Sequence, residues 1–179
     1  MTTHSSSSPA GGRRLARSRR WSWRAVLVAA LVAAVADAAF AFVAYVLIAH
    51  RFNFETLLQY IASGALGNAA FATGPLGIAT ATLGFAIHAT LAVVFTVFYA
   101  LIISPWVHTP ATACVLGAAY GAGIWVFMNA VVLPLGGAAH EPFLSRYYLA
   151  FGVDHALVVG LPIALILYAM VPGRTGERA

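Results

Sequence analysis

Five side chains with chemistry to offer stand inside otherwise apolar text. They are Asp37 in LVAAVADAAFAF, His88 in LGFAIHATLAVVF, Asn129 in VFMNAVV, and the adjacent Asp154 and His155 in FGVDHALVVG. Carboxylates and imidazoles take up protons and hold cations, and an ionisable group inside a membrane segment is a functional candidate by default. Even low insertion scales charge about 2.5 to 3.5 kcal/mol for an Asp at the centre of a membrane helix, so Asp37 requires a partner, water or a proton.

Helical geometry assigns each group a face. At 100° per residue, Ala30, Ala33, Ala34, Ala41 and Ala44 share the face of Asp37, while Val28, Val32, Val35, Phe42 and Val46 lie opposite. Small residues admit a neighbouring helix and bulky apolar ones suit lipid, so the acid is expected to point into a bundle. His88 shares its face with Ala81, Gly84, Ala92, Phe95 and Tyr99, and Asn129 with Ala118, Ala122 and Trp125. Gly117 and Gly121 form a GxxxG spacing, a packing signal for another helix. A rise of 1.5 Å per residue puts Asp37 and His88 roughly 15 to 18 Å from the outer ends of their segments, and Asn129, Asp154 and His155 roughly 9 to 12 Å.

These positions allow a polar cluster with Asp37 and His88 at its floor. Read blandly, it is interhelical glue, worth about 0.6 kcal/mol per contact and at most about 2. Read sharply, it binds a proton, a cation or a small polar ligand. Metal or haem ligation by His88 and His155 is a third reading, with the two imidazoles as axial ligands, but no H-x-x-x-H, C-x-x-C-H or Glu-x-x-His motif supports it, and no metal or other cofactor is expected. G-x-S-x-G, G-x-x-x-x-G-K-[ST] and H-E-x-x-H are absent, so no catalytic residues are assigned. His140-Glu141 reads as a solvated loop pair before Pro142.

The elements that must carry these groups follow from composition. Of 179 residues, 61% are hydrophobic and 8% charged, the balance of a membrane protein rather than a soluble domain. Four spans are expected, at about 25–49, 76–103, 111–135 and 147–171, each long enough for a hydrocarbon core about 30 Å thick. Between the first two, FNFETLLQYIASGALGNAAF mixes polar and apolar residues and reads as an interfacial or re-entrant helix at about 53–66, with Asn53 as N-cap and Gly64 and Gly67 as stop. The short uncharged connection Ser104 to Pro110 predicts an antiparallel hairpin. Tyr60, Tyr147 and Tyr148 near one boundary, and Trp21, Trp23 and Trp106 near the other, suit aromatic belts. Cys114 reads as packing against lipid or helix.

The net charge of +5 is concentrated in Arg13, Arg14, Arg17, Arg19, Arg20 and Arg24. A basic arm beside an apolar segment anchors to anionic lipid on the cytoplasmic side, and nucleic acid is not an expected partner. Residues 1–24 read as a disordered cytoplasmic arm and 172–179 as a cytoplasmic tail, with Arg174 and Arg178 reinforcing the orientation. A rival reading makes Ala34-Val35-Ala36 a signal-peptide cleavage site, with SRRWSWR loosely echoing a twin-arginine signal. The apolar run continues for about a dozen residues beyond that point, which argues against cleavage.

The feature order, an Asp in the first span, then LLQYIASGALGNAAF, LGFAIHATLAVVFTVFYAL, YGAGIWVFMNAVVLPLG and FGVDHALVVGLPIAL, resembles a group of small four-helix inner-membrane proteins of bacteria and, more distantly, the YagU family. The resemblance covers about Ala25 to Val171 and transfers no catalytic residues. It implies a bacterial membrane protein with no established enzymatic activity. The expected fold is all-α, a four-helix transmembrane bundle in the lipid bilayer. Four helices make a thin scaffold for transport unless they form a homo-oligomer or join a membrane complex, and no inverted repeat is evident.

Overall fold

The structure is a computed structural model that describes residues 21–137 and 146–170, all helical or in short connections. Among the described residues, four helices are long and apolar enough to cross a membrane: α1 (Trp23–Ile48), α3 (Gly74–Trp106), α4 (Pro110–Gly136) and α5, whose apolar stretch is Leu149–Met170. A shorter helix, α2 (Phe54–Leu66), follows the first. Bulky residues such as Leu31, Val35, Phe85 and Val115 lie on the outer surface of the spans, where a lipid bilayer rather than water can accept them. The chain is therefore a multi-span membrane protein. Of the basic arm only Arg24 is described, and it is exposed; Arg13, Arg14, Arg17, Arg19 and Arg20, the tail and His140-Glu141 lie outside the described residues.

Local chemistry sets the helix ends. Ser22 Oγ accepts from the amide of Ala25 at the start of α1, and Thr109 and Thr112 form a reciprocal capping box ahead of α4. That box and Pro105 turn α3 into α4, giving the expected hairpin. Trp23 and Trp106 sit exposed at the beginning of α1 and the end of α3. α1 runs unbroken through Ala34-Val35-Ala36.

Prolines shape the spans from within. The backbone widens to i→i+5 bonding over Tyr99–Ile103, Met128–Val132 and His155–Gly160, and each stretch ends two residues before a proline: Pro105, Pro134 and Pro162. Proline brings no N–H and its ring crowds the carbonyl four residues earlier, so the preceding turn opens to re-satisfy its backbone groups. The end of α1, Phe42–Ile48, is also wide, without a proline.

One end of the bundle is closed by small residues. Ala25, Ala29 and Ala33 of α1 pack with Tyr99 and Ala100 of α3, Ala113 of α4 and Ile163, Ala164 and Leu167 of α5. α4 and α5 meet backbone to backbone: a Cβ on Gly121 would run into the His155 carbonyl, and one on Gly117 would lie 2.9 Å from the Gly160 carbonyl. The Gly117/Gly121 pair thus faces α5, with Gly160 as the answering glycine.

α2 occupies the other end. Asn53 Oδ1 accepts from the Thr56 amide at 2.7 Å, and the helix stops at Gly67, whose φ of +58° suits a residue without Cβ. An interfacial helix would turn its polar side chains to water, yet Gln59 and Ser63 are buried. Gln59 Nε2 donates to the Ala72 carbonyl, just before α3, at 2.9 Å and to the Gly77 carbonyl in its first turn at 3.2 Å, stitching α2 to the beginning of α3. Gly84 lets the Leu58 carbonyl of α2 rest directly on α3.

Candidate functional site

Asp37 stands near the middle of α1, on the inward side of the alanine stripe. Ala30, Ala33 and Ala41 of that stripe are buried, while Val35 is 60% exposed on the other side. The small residues let α3 and α5 close on α1, and each contributes an imidazole. His88 Nδ1 lies 3.7 Å from Asp37 Oδ2, and His155 Nδ1 lies 3.8 Å from Asp37 Oδ1 and 3.4 Å from Asp154 Oδ2. Four ionisable groups from three helices thus meet around one carboxylate.

The sequence estimate placed Asp154 and His155 several ångströms shallower than Asp37. In the structure they share a level. The wide turn at Phe42–Ile48 advances less per residue than an α-helix, so Asp37 is nearer the α2 end of the bundle than a uniform rise implies.

Backbone contacts orient both rings. His88 Nε2 is 3.0 Å from the Ala34 carbonyl, one turn before Asp37 in α1. A carbonyl only accepts, so Nε2 carries the proton, and in the neutral ring Nδ1 presents its lone pair toward Asp37. His155 Nδ1 is 3.0 Å from the Phe151 carbonyl of its own helix, which makes Nδ1 the protonated atom there.

The carboxylates are less well served. Asp154 is only 2% exposed, and neither of its oxygens accepts a hydrogen bond among the described residues; Asp37 Oδ1 is in the same state. In a protein interior, and more so within hydrocarbon, such acceptors are costly unless a proton or a cation answers them. The imidazole nitrogens stand 3.4 to 3.8 Å away, beyond the N–H···O range of about 2.7 to 3.2 Å.

Asn129 does not join the quartet. Its Nδ2 donates to the Trp125 carbonyl one turn back at 2.8 Å, a bond within α4, although the residue lines the same cavity. That cavity, about 260 Å³, lies between the spans at the α2 end, with Asp37, His88 and His155 on its wall and Leu57, Ile61 and Leu91 among its apolar lining. Several rings border it, among them Tyr45, which lies against Phe151 at 4.7 Å and against Phe52 at 5.4 Å. The closed alanine core and the cavity therefore divide the bundle lengthwise.

No family model, curated protein or solved structure matches the chain. The likeness to the YagU family accordingly rests on feature order alone, and the chemistry has to be read from the residues themselves.

Three properties bear on that chemistry. Asp37, Asp154 and His155 each offer a ligand atom within 4.8 Å of the others. The set holds two acids and two imidazoles and no thiol, and Cys114 is exposed on α4. His88 Nδ1 and His155 Nδ1 both face the Asp37 carboxylate, which stands where a macrocycle held between the two rings would have to lie. Asp154 and its buried oxygens are what sequence reasoning undervalued. Pro162, eight residues on, was the available signal, because it marks the widened turn that begins at His155.

Proposed function

We propose that the chain is a non-enzymatic bacterial inner-membrane protein whose bundle holds a binding site for a cation or a small polar ligand, entered from the α2 end. The observation that carries this reading is the pairing of a cavity with donor-starved acids: Asp37 lines about 260 Å³ of space while, among the described residues, its Oδ1 and both oxygens of Asp154 accept no hydrogen bond. Glue alone would be expected to satisfy its own polar atoms, since interhelical polar contacts stabilise only when both partners are met. The basic residues around Arg24 favour cytoplasmic termini by the positive-inside rule, which puts α2 and the cavity on the periplasmic side. Four spans around one cavity also suit a component of a homo-oligomer or a larger membrane complex.

The test is accessibility. With Cys114→Ser as background, Asp37→Cys in lipid nanodiscs is expected to react with a small cationic methanethiosulfonate added in the water phase, whereas Val35→Cys on the lipid side is not. Absence of reaction at position 37 would contradict the site reading and leave the cluster as packing.

A further inference from the structure

We propose that Asp37, Asp154 and His155, with His88 beside them, bind one divalent first-row metal ion. This rests on the cation reading above and names its ligand class. Charge is the first reason. Two carboxylates from α1 and α5 face one another inside hydrocarbon, where a monovalent ion leaves one negative charge uncompensated and a divalent ion leaves none.

Spacing is the second. The contacts at 3.4, 3.7 and 3.8 Å are too long for hydrogen bonds, but ligands about 2.1 Å from a tetrahedral ion stand about 3.4 Å apart. Unsatisfied acceptors are the third. Asp154 is 2% exposed, and among the described residues neither of its oxygens nor Asp37 Oδ1 accepts a hydrogen bond, so an ion would supply what no described N–H or O–H does.

His88 adds an independent mark. A metal-binding imidazole characteristically gives its other N–H to a backbone carbonyl or carboxylate, which fixes the tautomer and aims the lone pair. His88 does this through Nε2 and the Ala34 carbonyl, leaving Nδ1 directed at Asp37 Oδ2. One change is required at His155. To coordinate through Nδ1 it must release the Phe151 carbonyl, with its proton carried on Nε2 instead. Oxygen and imidazole ligands without thiolate suit Zn²⁺, Mn²⁺, Fe²⁺ or Co²⁺ and disfavour Cu⁺. Asp37, His88 and His155 line the cavity and give the ion a route, and Asp154 closes the site behind them.

The experiment uses the full chain in detergent, purified by a tag free of histidine, stripped with chelator and loaded with Co²⁺ or Zn²⁺. About one ion per chain should survive gel filtration, with Co²⁺ giving the visible absorption of a low-coordinate N/O site that Zn²⁺ abolishes. Asp37→Asn and Asp154→Asn should each weaken binding at least about 100-fold, and His88→Gln by about 10- to 100-fold. The control His50→Ala, at an exposed residue after α1, should leave it unchanged. Failure of the unaltered protein to retain either ion overturns the assignment without reference to any variant. So does retention that persists in both acid variants. If no ion is retained while Asp37→Cys is still modified from water, the metal assignment fails and the site reading stands; if neither occurs, both fail.

Discussion

His88 reaches across from α3 to α1 with Nε2 on the Ala34 carbonyl at 3.0 Å and Nδ1 facing Asp37 Oδ2 at 3.7 Å. The relationship is asymmetric. The carbonyl holds the ring in place irrespective of what occupies the acid, so His88 is oriented before any ligand arrives, and the free energy of binding is not spent on turning it.

Close approach of α4 and α5 is what brings His155 to the site. A Cβ on Gly121 would collide with the His155 carbonyl, whereas a Cβ on Gly123 meets nothing within 4 Å. Gly121→Ala is therefore expected to destabilise the detergent-solubilised protein by about 1 to 3 kcal/mol. Gly123→Ala should be neutral or stabilising by up to about 1 kcal/mol, as for alanine over glycine within a helix. Thermal unfolding of the two variants side by side checks this.

α2 is held through Gln59. Its Nε2 serves the Ala72 and Gly77 carbonyls, and it is 4% exposed, so Gln59→Leu removes a buried donor from both, although the Gly77 carbonyl keeps Thr80 Oγ1. The expected loss is about 1 to 3 kcal/mol. Limited proteolysis should then cut within Phe54–Leu66 faster than in the unaltered chain, because the helix loses its tie to α3.

Topology follows from four spans with α2 at one end. Reporter fusions after Arg51 and after Trp106 should report opposite sides of the membrane. The same side for both would break the four-span arrangement.

The third reading of the histidines has a direct spectroscopic outcome. Protein purified from a haem-replete host should show no Soret band, since the Asp37 carboxylate stands between His88 and His155 where a macrocycle would have to lie. A stoichiometric band would contradict the orientation described for His88.

Much of this arrangement was legible in the sequence because hydrocarbon is a severe solvent. The four spans, the inward face of Asp37 and the capped helix after the first span all follow from apolar length, the spacing of alanines and Asn53. What the sequence obscured depends on contacts between helices. A uniform rise separates Asp37 in depth from Asp154 and His155, because it ignores the widened turn at Phe42–Ile48. The polarity of Gln59 and Ser63 suggested water, whereas both are buried, with Gln59 meeting the carbonyls Ala72 and Gly77 and Ser63 the carbonyl of Tyr60. Asn129 had the face for the cluster but spends its amide on Trp125.

The central claim is that Asp37 and the imidazoles act as one unit, and a double-substitution cycle measures it most directly. Thermal or denaturant unfolding of Asp37→Asn, His88→Gln and the double variant, repeated with His155→Gln, should give coupling of about 0.5 to 3 kcal/mol in each cycle. Additivity within about 0.5 kcal/mol in both cycles would contradict it.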